Sequence, residues 1–196
     1  ISSAASDVYK RQEEGHRLAN LRSMIALQWT WPGKKTLFMG CEFGQWKEWD
    51  FEASLDWELL EFSQHQGLST LVADLNNMYL THPTWAESDH ESDKFEWIDC
   101  NDAEGQTLSF VKFGATVQDT LLVACNFSSQ LCDRDWGCPH SGEWEVALDS
   151  NALQYGGKSL KLGSRFSTFE EPRNDQTFGL RFSIERWSVL ILKLKS

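Results

Sequence analysis

The chain has 196 residues, 41% of them hydrophobic and 24% charged, which is ample for one or two packed domains and excludes wholesale disorder. No apolar run approaches the ~20 residues that cross a bilayer, and the first residues lack the charged, apolar, then small order of a signal peptide. Eighteen Lys and Arg stand against 29 Asp and Glu, a net charge of −11, and a chain that acidic repels phosphate backbones, which argues against a nucleic-acid partner.

Residues 1–12 open on Ser2-Ser3-Ala4-Ala5-Ser6, a low-complexity leader set aside from fold reasoning. From Glu13, apolar residues recur at Leu18, Leu21, Ile25 and Trp29, which predicts a helix that Pro32-Gly33 stops. Thr36-Leu37-Phe38-Met39 is brief and unalternating, the pattern of a strand buried on both faces as in a parallel sheet. Gly40 to Trp57 follows without any period. A second helix is carried by Leu68, Leu71, Val72, Leu75 and Tyr79, with Pro83 just past its end. Helix, buried strand, long loop and helix together read as one turn of a (β/α)8 barrel wall, an α/β segment over residues 13–90. Glu87, Ser88, Asp89, His90, Glu91, Ser92 and Asp93 then form a polar link.

Beyond Lys94 the period changes to two. Phe95/Trp97, Leu108/Phe110, Leu121 to Phe127, Trp144 to Leu148, Phe178 to Ile184 and Val189 to Leu194 read as short strands separated by turn residues. Residues 91–196 are therefore expected to form an antiparallel, all-β sandwich. Five cysteines (Cys41, Cys100, Cys125, Cys132, Cys138), odd in number and scattered, read as reduced thiols in a cytoplasmic setting. Cys132, Cys138 and His140 have the wrong spacing for zinc, so no metal or other cofactor is expected. Asn126-Phe127-Ser128 matches a glycosylation sequon, but it lies in a strand-like run and reads as chance.

The loop from Gly40 to Trp57 is where chemistry is expected. In a β/α barrel the segment after a strand's C-terminal end lies on the active-site face, and long ordered loops tend to be functional. Trp46, Trp49 and Trp57 offer flat apolar faces for the C–H side of a pyranose. Glu42, Gln45, Asp50 and Asp56 offer acceptors for its hydroxyls, and Gln45 adds donors. The alternative is that the indoles pack the loop onto the barrel rim and that Glu42 accepts backbone N–H bonds. In the β region, Trp136, Trp144 and Trp187 are candidates either for the core or for polysaccharide contact.

The string Gly33 to Trp49, Gly-Lys-Lys-Thr-Leu-Phe-Met-Gly-Cys-Glu-Phe-Gly-Gln-Trp-Lys-Glu-Trp, with Ala53-Ser54-Leu55-Asp56-Trp57, closely resembles the last barrel strand and following loop of bacterial-type 1,4-α-glucan (glycogen) branching enzymes of the α-amylase clan. The resemblance continues through Leu71-Val72-Ala73-Asp74-Leu75-Asn76, Phe95-Glu96-Trp97-Ile98-Asp99, Cys125-Asn126-Phe127 and Leu148-Asp149 to Tyr155-Gly156-Gly157. It implies a C-terminal fragment of such an enzyme, whose retaining catalysis uses three carboxylates on earlier strands. None of the carboxylates here is assigned the nucleophile or acid role, because no His-Asp pair occurs and a whole barrel needs roughly 250 residues. The resemblance implies two partners, an α-glucan and the N-terminal part of the barrel. It leaves open a debranching or trehalose-forming hydrolase of the same clan, and a non-catalytic polysaccharide-binding β-sandwich is a third reading.

Overall fold

The computed structural model describes residues 14–195, so the leader at 1–12 lies outside the described residues. Helix α1 spans Glu14–Thr30, α2 Ser63–Thr81 and α3 Pro83–Ser88. The strands are β1 Phe95–Asp99, β2 Thr107–Lys112, β3 Leu121–Asn126, β4 Cys132–Cys138, β5 Glu143–Asp149, β6 Arg165–Phe169, β7 Phe178–Ile184 and β8 Ser188–Leu194. All neighbours are antiparallel, in the order β1-β2-β3-β8-β5-β6-β7-β4.

The expected two-layer sandwich is thus one eight-stranded sheet rolled nearly into a barrel. Its two edge strands approach each other: Arg134 on β4 bridges Asp99 at the end of β1 at 3.1 Å and Asp102 just beyond it at 3.0 Å. Rolling leaves little edge for another chain to pair with. Inside the roll, Val111, Leu122, Ala124, Trp136, Trp144, Leu180, Phe182, Leu190 and Leu192 form one core. Outside it, Phe110, Leu121, Val123, Cys125, Val189 and Ile191 meet Leu18, Ile25 and Trp29 of α1 and Leu68, Leu71 and Leu75 of α2 in a second core. Strands β3 and β8 are buried on both faces for this reason, which is why their sequences run apolar without alternation.

The two helices form as their stripes predict, but the segment between them does not. Among the described residues there is no portion of a (β/α)8 barrel. Thr36–Met39 is not a strand, and Leu37, Phe38 and Met39 are 38–57% exposed. A parallel strand needs a neighbour on each side to complete its ladder, and among the described residues none pairs with this segment. Its anchors are side chains instead: Gln28 Nε2 donates to the Thr36 carbonyl, and Lys35 donates to the Trp31 and Gly33 carbonyls. The polar link is also more structured than its composition suggests. Pro83 starts α3 at a position where its missing N–H costs nothing, and Asp89 is buried.

Two strands, β4 and β6, carried no readable alternation. Trp136 and Trp144 are fully buried in the core inside the sheet, and Trp187, 9% exposed, lies in the turn between β7 and β8. Asn126 is equally buried, its amide donating to the Gln130, Ile184 and Glu185 carbonyls, so the sequon is closed to modification. Cys132 and Cys138 lie at opposite ends of β4, about 20 Å apart at the usual rise per residue, too far to share a metal. Burial pushes the Cys138 thiol up to about 12 and that of Cys125 higher still, which leaves both unreactive.

Candidate functional site

The Gly40–Trp57 loop begins with a tight turn. Gly40 and Gly44 take φ of +84° and +72°, and the Gln45 N–H donates to the Gly40 carbonyl at 3.0 Å. A Cβ on Gly44 would stand 3.0 Å from Leu18 and Leu68, so the turn seats directly on both helices. Phe43, fully buried, is the plug. His65 of α2 locks it by donating Nδ1–H to the Phe43 carbonyl at 2.7 Å.

The indoles are arranged around this plug. Trp46 meets the His65 ring edge-on at 5.1 Å, and Trp57 lies against Phe43 at 5.1 Å. Trp49 stands farther along the loop, edge-on to Phe38 at 5.3 Å. Each ring is therefore packed in part and exposed in part, with exposures of 40, 43 and 52% for Trp46, Trp49 and Trp57. The packing and binding alternatives for these residues are not exclusive, since a rigid, half-open indole costs little entropy on stacking.

The polar candidates divide. Gln45 Oε1 accepts the Asp56 N–H at 2.9 Å, and Gln45 Nε2 donates to the Lys47 carbonyl at 3.2 Å, tying the loop's two limbs together. Asp56 pairs with Lys47 at 2.9 Å and holds that ammonium above its ordinary range. Asp50 accepts the Glu52 N–H in a local turn. Gln45, Asp50 and Asp56 therefore brace the loop, whereas Glu42 is half-buried with no hydrogen bond or ion pair to the described residues. The loop's entry is pinned by Lys35, whose ammonium lies 3.1 Å from Asp89, which also accepts from Lys112 at 2.7 Å and from the Tyr79 hydroxyl at 3.0 Å.

A second exposed aromatic group lies where α1 meets the sheet edge: Trp31 and Trp97, 42 and 37% exposed, sit with ring centroids 5.4 Å apart and share Phe95 and Phe110 as neighbours. Sequence reasoning missed it because its members come from separate elements, and the position of Trp31 after the last turn of α1 was its one local signal.

The family described as Alpha amylase, C-terminal all-beta domain, matches residues 97–195, half of the chain. The chain belongs to this family. Curated relatives extend the likeness beyond the alpha-amylase C-terminal all-beta domain itself. The chain is 43% identical over 145 residues to the 1,4-alpha-glucan branching enzyme GlgB of Rhodospirillum rubrum, covering 74% of this chain and 20% of that protein. It is 37% identical over 180 residues to the enzyme of the same name from Thermosynechococcus vestitus (91% of this chain, 23% of the relative) and 38% identical over 179 residues to that of Aquifex aeolicus (90% and 28%). The chain thus spans a fifth to little more than a quarter of these relatives. Among solved structures, a type I pullulanase from Bacillus subtilis superposes with a TM-score of 0.64 at 14% identity over 95% of this chain and 25% of that one. A pullulanase from Anoxybacillus does so at 0.61 with the same identity and coverage. Those likenesses show the fold.

Proposed function

We propose that the chain is the C-terminal part of a 1,4-α-glucan branching enzyme. Residues 13–90 would complete its catalytic (β/α)8 barrel, and 91–196 form the β domain packed behind it. The observation that carries this reading is the extent of the likeness to the branching enzymes. An alignment of 180 residues cannot fit within the β domain and must run through the helices and the tryptophan loop as well. The exposed apolar run Leu37-Phe38-Met39 supports the barrel assignment, because it has the sequence of a doubly buried strand and lacks only its neighbours.

In the enzyme, an α-1,4 linkage is cut, the glucan segment is held covalently, and the 6-hydroxyl of an acceptor chain attacks in place of water. The catalytic carboxylates belong to the N-terminal part of the barrel. This chain supplies binding at the rim: the open faces of Trp46, Trp49 and Trp57 stack sugar rings, and Glu42 accepts hydroxyls. Gln45 and Asp56 hold the loop in shape and meet the glucan only at their outer edges. Positioning an acceptor this way favours its hydroxyl over bulk water by raising its effective concentration. No described helix is long and apolar enough to cross a membrane. The test is product analysis on linear amylose with the complete enzyme. Side chains released by an α-1,6-specific debranching enzyme support the reading, and release of free sugar without new branches refutes it.

A further inference from the structure

A cavity of about 620 Å³ opens between α1, the start of α2 at Gln64, the 151–158 segment and the turn joining β7 to β8. Arg22 lines it and is 3% exposed. Its Nε donates to the Ser150 carbonyl at 3.1 Å and its Nη2 to Asn151 Oδ1 at 3.3 Å, both neutral acceptors. Among the described residues no carboxylate lies within 4.0 Å of this guanidinium, and Asp149 acts on it only from farther away. Buried charges are ordinarily paired, because desolvating an ion without a counter-charge is costly. Here burial pulls the guanidinium down to about 10, the mark of a cation short of its anion.

Two more cations, Lys158 and Arg186, stand on the exposed rim, against the single carboxylate Glu185. In a chain of net charge −11 this is a local excess of positive charge, which concentrates small anions. Guanidinium and ammonium groups together suit a phosphate. The rest of the lining is not that of a bare anion hole: Asn151 and Glu185 offer planar polar groups for hydroxyls, and the indole of Trp187 forms part of the wall. Trp187 is held at φ +46°, a conformation that bulky residues rarely adopt, so its placement is imposed by the surrounding turn.

We propose that this cavity binds a phosphorylated sugar, with the phosphate between Arg22, Lys158 and Arg186 and the sugar hydroxyls on Asn151 and Glu185. No residue of the tryptophan loop lines this cavity, and the proposal does not depend on the activity assigned to that loop. Titration calorimetry on the full chain, in chloride buffer, with glucose 6-phosphate, inorganic phosphate and maltose as separate ligands tests it. Saturable binding of glucose 6-phosphate, tighter than either other ligand, is expected. The double variant Lys158→Ala/Arg186→Ala, on the exposed rim, is expected to weaken it by about tenfold or more, since charge-assisted bonds are the strong ones, while leaving the ligand-free melting temperature unchanged. Arg22→Gln should weaken binding further where it folds, and the rim variant keeps the test valid where it does not. Absence of binding at millimolar ligand, equal affinity for maltose, equal affinity for inorganic phosphate, or an unaffected rim variant would each overturn the proposal.

Discussion

Asp89 is the residue on which most else at the loop's base depends. Burial alone would push its carboxyl up, but Lys112 and Lys35 outweigh burial and hold it below the usual carboxylate range. Lys112 is itself fully enclosed, and burial draws its ammonium down despite Asp89. Removing one partner of such a pair leaves a buried, uncompensated charge, whereas removing both need not. Asp89→Asn is therefore expected to cost about 3–5 kcal/mol in urea unfolding, with Asp89→Asn/Lys112→Met recovering much of the loss. The pH dependence follows from the sign of the shift. A carboxyl lowered by folding contributes stability above its unfolded value of about 4 and loses it as pH falls through the folded value. Asp102, lowered by the Thr107 hydroxyl, the Gly105 N–H and Arg134, acts in the same direction. Asp149 runs the other way, since burial raises it and its protonation favours the fold. Asp89→Asn should flatten the loss of stability below pH 4, read from melting temperatures across an acid series. An acid limb identical to the parent's would remove Asp89 from this role.

At the scale of elements, α2 approaches the 153–157 segment more closely than a side chain allows. A Cβ on Gly67 would lie 2.4 Å from the Tyr155 carbonyl carbon, while the Tyr155 hydroxyl donates to Asp74 at 2.7 Å. Alanine improves helix propensity by at most about 1 kcal/mol, but overpacking against backbone costs about 1–3 kcal/mol, so Gly67→Ala should destabilise, as measured by denaturant midpoint. The same closeness explains what the sequence shows and hides. Leu121–Asn126 and Ser188–Leu194 are legible because burial on two faces leaves continuous apolar runs. Cys132–Cys138 is not, because Arg134 interrupts the face it shares with Trp136 and Cys138, its charge met by Asp99 and Asp102, while Asp133 and Asp135 on the other face are met by Arg181, all partners far away in sequence. Thr36–Met39 reads as a strand from residue type alone, whereas among the described residues nothing pairs with it. Residue type alone singled out the loop's indoles as candidates, and their half-exposed packing appears only in the structure. The bracing roles of Gln45 and Asp56 were not, since they depend on two positions eleven residues apart meeting across the loop. Arg22 did leave a trace: it falls four residues after Leu18 and three before Ile25, inside the apolar stripe of α1.

For the molecule as a whole, the outer core joins the helices to the sheet across the 90/91 boundary, so the β domain is not an independent cap. Deleting residues 1–90 uncovers Phe110, Leu121, Val123, Val189 and Ile191, an apolar face expected to drive aggregation, visible as loss of the monomer peak in size-exclusion chromatography. The exposed apolar side chains of the 37–62 segment have the opposite standing: Leu37, Phe38 and Met39 are surface in this chain and would be covered by neighbouring strands in the proposed enzyme, whereas Trp46, Trp49 and Trp57 would stay open to the glucan. The account rests on that segment forming part of a glucan cleft. Its most direct test is the chain-length profile and apparent KM for amylose of the complete enzyme carrying Trp46→Ala or Trp49→Ala. Loss of one stacked sugar predicts a KM raised by about five- to thirtyfold, from ~1–2 kcal/mol per indole, together with a shifted profile of transferred chains. Unchanged KM and an unchanged profile in both variants would contradict it.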